Sequence, residues 1–275
     1  MSPVPLIALA SCRASPGVTT TALALAALWP ASRRLVIETD PSGGDLGAWL
    51  GLPPAPGLAS LAAAIRHDHG PGITWRHAQP LPSGVSTVVA PAGAEQAAAC
   101  LATLAAPRTG TAWLDPGGQE AVLIADCGRL DPRSPAFAVA ARAALTLVLV
   151  RPRVSELSHL AERLPGLARA GLRPALLLAP LTDSGTGEAC YPPGEITATL
   201  GIPVEASLPA DPRTITSLIR GRGVLAPSRR LPLAQSLSGL AAVLAARLTV
   251  PALSPAVPDA PAHRVPPRPM EVTTP

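Results

Sequence analysis

The sequence contains no lysine: all 22 of its basic residues are arginines, against 18 acidic residues in a chain of 275. Aromatic residues are also scarce, at 2%, whereas hydrophobic residues amount to 48%. The core must therefore be built from alanine, leucine, valine and isoleucine. No apolar run is long enough to cross a bilayer and no signal-peptide pattern is present, so we expect a cytoplasmic protein without a transmembrane segment.

The cysteines and histidines give little indication of a disulfide or of a metal site. The four cysteines, at positions 12, 100, 127 and 190, form no C-x-x-C pair, so we expect reduced, mostly buried thiols. His67, Asp68 and His69 form an H-x-H pair with a carboxylate between the two rings. Glycine and proline flank this segment and no further ligand lies nearby, which favours a solvated loop over the alternative, a metal site.

Short apolar runs alternate with helical segments along the chain. We predict strands at residues 6–10, 35–40, 84–91, 121–126, 145–150, 174–179 and 202–208. Predicted helices lie after residue 19, at residues 45–50, 58–65 and 95–106, after RPRVSEL at 151–157 through about residue 170, and at residues 195–200 and 233–248. This alternation predicts an α/β domain at residues 1–248, with a doubly wound, mainly parallel sheet and helices on both faces. The proline-rich residues 249–275 are predicted to form a disordered tail.

The first strand leads into a turn of small residues, 11–17, and then into a helix. Such a loop lets backbone N–H groups approach an anion, and the helix dipole behind it favours negative charge. The ordinary phosphate loop, G-x-x-x-x-G-K-[S/T], carries a lysine before its hydroxyl residue. Here Gly17 and Thr19 occupy the expected places and Val18 stands between them. The loop has the shape of a phosphate site without its main charge, and the threonines at 19–21 are also candidates to cap the helix.

Two aspartates, Asp40 and Asp126, follow apolar strands. Because the carboxyl ends of parallel strands meet at one edge of a sheet, both should lie near Thr19. In a nucleotide hydrolase of this class one aspartate supports Mg²⁺ and another orients the attacking water. Each also has a structural explanation, since Asp40 can start a turn and Asp126 can cap a helix. Their order along the chain favours the nucleotide site.

Taken together, these motifs resemble those of the ParA/MinD ATPases, whose phosphate loop deviates from the ordinary form. RASPGVTT at residues 13–20 aligns without gaps with the family's K-G-G-x-G-K-T-T, and ETDPSGG at 38–44 resembles its D-x-D-P-Q-G-N. The strand at 122–128 resembles the family strand that ends in D-T-P-P, and PADPR at 209–213 resembles its P-x-D-x-R loop near the adenine. The resemblance covers roughly residues 4–248.

The resemblance implies a P-loop domain that binds ATP and Mg²⁺. It assigns Thr19 and Asp126 to the metal and Asp40 to the attacking water. The residues implied to hold the nucleotide are Arg13, Ser15, Gly17, Val18, Thr19, Thr20 and Asp211. Arg13 stands at the family's signature lysine and keeps its charge, whereas Val18 replaces the phosphate-binding lysine.

Loss of that lysine removes roughly two charged hydrogen bonds, worth about 3–5 kcal/mol. Nucleotide affinity should fall by roughly two to three decades. We therefore predict a ParA/MinD-like partitioning or positioning protein with weak ATP binding and little hydrolysis. The alternative is a nucleotide-independent pseudo-ATPase scaffold that localises or regulates an unknown protein partner. A third interpretation, a competent ATPase, requires a cation from Arg13 or from a partner subunit.

The resemblance also implies a homodimer. Arginines cluster late in the chain, where the family's DNA-binding members carry a basic patch: Arg213, Arg220, Arg222, Arg229 and Arg230. Phosphate contacts by these side chains would be salt-sensitive and would read no base sequence. A solvated basic face is an equal alternative.

Overall fold

The computed structural model describes residues 5–13, 17–106, 109–116, 120–131, 133–181, 189–219 and 230–249. The strands within these residues are β1 Leu6–Ser11, β2 Arg33–Glu38, β3 Gln79–Pro80, β4 Ser86–Val88, β5 Ala121–Arg129, β6 Leu145–Val150, β7 Pro174–Leu178 and β8 Val204–Ser207. The helices are α1 Val18–Leu28, α2 Leu46–Leu50, α3 Leu58–Ala64, α4 Ile73–Arg76, α5 Ala94–Ala105, α6 Pro135–Ala140, α7 Val154–Arg169, α8 Pro193–Leu200, α9 Pro212–Ile219 and α10 Pro232–Thr249.

The eight strands form one sheet in the order β3-β4-β2-β5-β1-β6-β7-β8. All neighbouring pairs are parallel except β3 and β4 at one edge, which are antiparallel. Central strands such as β1 are buried on both faces, which explains their nearly uninterrupted apolar sequences. β5 and β1 are neighbours, and β2 lies directly beyond β5, so the carboxyl ends of these three strands meet at one edge.

Helices cover both faces of the sheet. On one face α1 and α10 pack on strand residues such as Leu9 and Ile124. On the other face α3, α5 and α6 pack on residues such as Ala8 and Ala125, and α7 and α8 continue this layer over β6 and β7. The first helix, α1, lies between the sheet and α10, and each residue from 21 to 28 is buried. Its alanines let this helix fit between two layers.

The predicted fold class is confirmed: the sheet is mainly parallel and has helices on both of its faces. Several elements differ from the prediction. The edge strand β3 and the helices α4, α6 and α9 were not predicted. β2 ends at Glu38 rather than at residue 40, β5 continues three residues beyond Asp126, and α10 extends to Thr249. Residues 250–275 lie outside the described part of the chain, so the disordered tail remains a prediction. Among the described residues, no helix is long and apolar enough to cross a membrane.

Candidate functional site

The site lies where β1, β2 and β5 end and α1 begins. Gly17 is the residue before α1 and has a left-handed backbone conformation, with φ 98°, which favours glycine. Gly17 is the N-cap residue and makes no side-chain hydrogen bond, so the alternative role of the threonines as the cap of α1 is not the one observed. The hydroxyl of Thr19 lies near the carboxyl group of Asp126 on β5 and lowers the pKa of that group. The two residues assigned to the metal are therefore neighbours.

Asp126 is a deeply buried carboxyl group. It is 2% exposed and lies within β5 rather than at a helix start, so it caps no helix. Burial raises its pKa to about 7, and the neighbouring carboxyl groups of Glu38 and Asp40 add to this effect. The Gly128 N–H, which donates to the carboxyl group at 3.2 Å, and the nearby Thr19 hydroxyl act in the opposite direction. The group therefore holds a proton up to near-neutral pH.

Val18 points into the apolar core. It is 5% exposed and belongs to the cluster formed by α1, α10 and one face of the sheet. A lysine at this place in a phosphate loop would reach the β- and γ-phosphates. The valine contributes packing instead. Arg13, which stands at the start of the loop, is exposed.

Glu38, at the end of β2, organises the loop that follows. Its buried carboxylate accepts hydrogen bonds from the backbone N–H groups of Asp45 at 2.8 Å, Leu46 at 2.9 Å and Ala90 at 2.8 Å. It thereby joins the start of α2 to the segment after β4. Burial raises the pKa of Glu38, while these three hydrogen bonds oppose the shift. Sequence reasoning gave this residue no role, although an acidic residue at the end of a buried strand was the available signal.

Asp40 lies over the end of β5. One carboxylate oxygen accepts the Ser42 N–H at 2.7 Å, which confirms that this residue also shapes a turn. The other oxygen lies against Gly128, whose φ is 55°. A Cβ atom at Gly128 would overlap with the Asp40 carboxylate. The absence of a side chain at position 128 therefore lets Asp40 approach Asp126.

Replacing Gly128 by alanine should destabilise the protein by about 2–4 kcal/mol, because the new methyl group must both adopt a left-handed backbone and displace Asp40. The matched control is Gly171→Ala: its φ is 79°, and no described atom lies within 4 Å of a Cβ built there. It should cost about 1–2 kcal/mol for the backbone alone. Urea unfolding measures both, and equal losses would contradict a close contact between Asp40 and Gly128.

Asp211, assigned to the nucleotide by resemblance, has a structural role in this fold. Its carboxylate accepts the N–H groups of Arg213 and Thr214, both at 3.1 Å, and the Thr214 hydroxyl at 2.8 Å, and so caps α9. It also accepts the Leu233 N–H at 3.3 Å, which ties the start of α10 to α9. Burial alone would raise the pKa of Asp211, but these hydrogen bonds lower it. A contact with adenine remains a prediction.

The remaining predicted residues are not brought into this cluster by any described contact. Thr20 is half-buried on α1, Arg213 and Arg230 are exposed, and Ser15, Arg220, Arg222 and Arg229 lie outside the described residues. In the H-x-H segment, Asp68 accepts the Gly70 N–H at 2.7 Å and pairs with Arg76. Within the described ranges, no group of three His, Cys, Asp or Glu residues is arranged to hold a metal. The H-x-H segment is therefore a loop, which is the interpretation that the sequence favoured.

The residues present fit Mg²⁺ better than they fit a phosphate chain. A threonine hydroxyl and an aspartate are hard oxygen donors, and Mg²⁺ in nucleotide sites takes few protein ligands because water and phosphates supply the others. The cation that normally meets the phosphates is replaced by a buried valine. By their chemistry Thr19 and Asp126 can serve a metal ion, whereas Val18 supplies no charge to a phosphate group.

The strand order, with α1 beginning at the carboxyl end of β1, is that of an α/β fold of the P-loop type. The chain is similar to a ParA family ATPase from Chlorobium tepidum, at 16% identity over 88% of this chain and 98% of the other, with a TM-score of 0.65. It is also similar to MinD of Pyrococcus horikoshii with Mg-ADP, at 18% identity over 88% and 96%, with a TM-score of 0.61.

A third similar structure is the ATP complex of an aspartate-to-alanine variant of McdA from Cyanothece, at 19% identity over 89% of this chain and 98% of the other, with a TM-score of 0.60. No protein-family model matches the sequence, and no curated protein matches it at a significant level. At these identities the likeness establishes the fold. The ParA/MinD resemblance of the motifs is thus confirmed at the level of the fold.

Proposed function

We propose that this protein is a ParA/MinD-like partitioning or positioning protein that binds ATP weakly with Mg²⁺ and hydrolyses it slowly. The observation that carries the proposal is the proximity of Thr19, at the start of α1, to the buried carboxyl group of Asp126 on β5. Among the described contacts, neither a helix cap nor an ion pair explains why Thr19 and Asp126 are neighbours. The similar MinD and McdA structures hold Mg-ADP and ATP, respectively, on the same fold.

Weak binding follows from the two features that depart from an ordinary phosphate loop. Val18 lies in the core and supplies no charge to the phosphates. Burial also favours the protonated form of Asp126, so a metal ion has to displace a proton near neutral pH before it can bind the carboxylate. Both features reduce affinity. Cellular ATP is abundant enough for binding of this strength to matter, whereas hydrolysis depends on charge stabilisation that the loop lacks.

Calorimetric titration with ATP, with and without Mg²⁺, tests the proposal. We expect saturable, Mg²⁺-dependent binding that Thr19→Ala weakens by roughly 10- to 100-fold, since one charge-assisted contact is worth about 1.5–3 kcal/mol. Thr21→Ala is the matched control: it removes the same hydroxyl from the same helix at a residue that is buried within α1. A flat titration of the unmodified protein, or equal effects of the two substitutions, would contradict nucleotide binding at this site.

A second candidate function is a pseudo-ATPase scaffold that acts through its surfaces alone. The observation that favours it is the buried Val18, because the position that meets phosphate in a P-loop here stabilises the core. Such a protein would bind its partner equally with and without ATP. A flat titration together with a folded chain would select this function over the first.

We further propose a homodimer in the cytoplasm, following the resemblance. Non-specific DNA contact through the late arginines remains a separate proposal, and Arg213 and Arg230 are the described members of that group, both exposed. Binding through five arginines would weaken steeply with salt.

A further inference from the structure

The strand β5 carries one extra residue beside the phosphate loop. Leu9 of β1 lies opposite Asp126. Two residues further along β1, Ser11 lies opposite Arg129, which is three residues further along β5. Over the same residues β1 pairs with β6 without any shift of register, so the extra residue belongs to β5. Gly128, with φ 55°, lies within this β-bulge.

The bulge determines the face of the sheet on which Arg129 lies. Side chains alternate between the two faces along a strand, and residues that lie opposite each other on neighbouring strands share a face. Leu9 packs on the α1 face, so Ser11, two residues later, and the opposite residue Arg129 are on that face as well. Without the extra residue, position 129 would share the face of Cys127, which packs with α5 and α6. Bulges beside functional sites redirect a side chain in this way.

The backbone next to Arg129 is held by two long-range hydrogen bonds. The Leu130 N–H donates to the carbonyl oxygen of Ser11 at 2.8 Å. The Leu130 carbonyl oxygen accepts a hydrogen bond from the Arg163 guanidinium of α7 at 2.9 Å. Leu130 itself is 1% exposed. Arg129 therefore extends from a fixed position beside the first residue of the phosphate loop.

The Arg129 side chain is exposed and its positive charge is free to meet an anion. Among the described residues it forms no ion pair or hydrogen bond, and it pairs with neither Asp40 nor Asp126. Two neighbouring arginines are engaged: Arg163 holds the carbonyl group described above, and Arg151 at the end of β6 is ion-paired. A guanidinium presents its donors as a rigid fork that matches phosphate oxygens.

We propose that Arg129 is the cation that meets the terminal phosphates of ATP in this site, an assignment that rests on the proposed nucleotide binding. The chain has no lysine to do so, and Val18 stands at the usual position. Arg129 shares the α1 face with Asp126, the aspartate assigned to Mg²⁺. In nucleotide sites this ion bridges the β- and γ-phosphates, so a guanidinium on the same face beside the loop is placed for those two groups.

The charge comes from a different direction than in an ordinary phosphate loop. A lysine at position 18 would extend from the start of α1, whereas Arg129 extends from the neighbouring strand β5. It is also exposed, so water and salt screen its charge more than they would screen a buried group. Arg129 therefore replaces the missing lysine in part, which agrees with weak binding.

Calorimetric titration of the full chain tests this role, once with Mg-ATP and once with tripolyphosphate, which has neither base nor ribose. We expect Arg129→Gln to weaken binding of both roughly 10- to 100-fold, the loss of one charge-assisted contact. Arg129→Lys keeps the charge without the fork and should recover part of this loss. Arg173→Gln is the matched control: this exposed arginine precedes β7 at the opposite edge of the sheet, and its loss should change either affinity by less than about twofold.

Equal affinities of Arg129→Gln and Arg173→Gln for both ligands would overturn the proposal, and Arg129 would then be an ordinary surface arginine. A loss specific to Arg129→Gln with either ligand supports it. If tripolyphosphate binding shows that loss while the ATP titration is flat, the phosphate contact is supported and nucleotide binding is contradicted. Flat titrations with both ligands would overturn both. Because Arg129 is exposed, its variants should keep the urea midpoint of the unmodified protein, which separates lost binding from lost folding.

Discussion

Asp126→Asn should stabilise the protein by up to about 4 kcal/mol at pH 8. The unmodified carboxyl group has its pKa raised from 3.8 to about 7 by burial, a shift of about three units at about 1.4 kcal/mol each. Because the folded state holds the proton more tightly than the unfolded chain, stability from this group is highest below about pH 4. It falls as pH rises to about 7 and is level above that. The variant should therefore equal the unmodified protein at pH 4 and exceed it above pH 7.

Asparagine suits this position because contacts with both neighbours can be kept. Its carbonyl oxygen can accept the Gly128 N–H, and its amide can donate to the Thr19 hydroxyl. Urea unfolding between pH 4 and 8, with EDTA and without nucleotide, measures the difference. Glu38→Gln is the comparison variant. A glutamine amide cannot accept hydrogen bonds from all three N–H groups that surround Glu38, so this substitution should lower the stability of the protein. An Asp126→Asn variant that gains nothing at pH 8 would contradict the buried proton.

Val18→Lys should have two opposite effects. Without nucleotide it should cost about 2–4 kcal/mol of stability, because an ammonium group replaces an apolar side chain that is 5% exposed. With Mg-ATP the new ammonium can extend toward the phosphates and make roughly two charged hydrogen bonds. Affinity should then rise by roughly two to three decades. Urea unfolding and calorimetry measure the two effects.

Val18→Met separates length from charge in this experiment, since methionine has a similar stem and no ammonium group. It should cost less stability than lysine and leave ATP affinity unchanged. If the lysine variant binds ATP no more tightly than the methionine variant, the rest of the site does not hold nucleotide. The scaffold function would then be the better account.

Much of the fold could be predicted because the strands of a buried parallel sheet have a recognisable apolar sequence pattern. Strands such as β5 and β6 are buried on both faces and therefore read as continuous apolar runs. The order of strand, small-residue turn and helix likewise placed Gly17 and Thr19 correctly at the start of α1. The two-residue strand β3 was missed because it pairs with only one neighbour and has no periodicity to detect.

The site was less predictable because its geometry depends on contacts between distant segments. Gly128 matters because Asp40 lies against it, although the two residues are 88 positions apart. Asp211 carries a motif that suggested nucleotide binding, yet the structure shows its carboxylate tying α9 to α10. Val18 belongs to the core cluster that α1, α10 and one face of the sheet form together, and no local sequence pattern reveals such a cluster.

The burial of α1 on all sides has a consequence for how this chain can vary. Ala22, Ala24 and Ala26 are each 0% exposed between the sheet and α10, so even one added methyl group has to push two layers apart. A surface helix tolerates larger side chains at such positions, whereas α1 does not. The helix that positions Thr19 can therefore change little in side-chain volume at these positions.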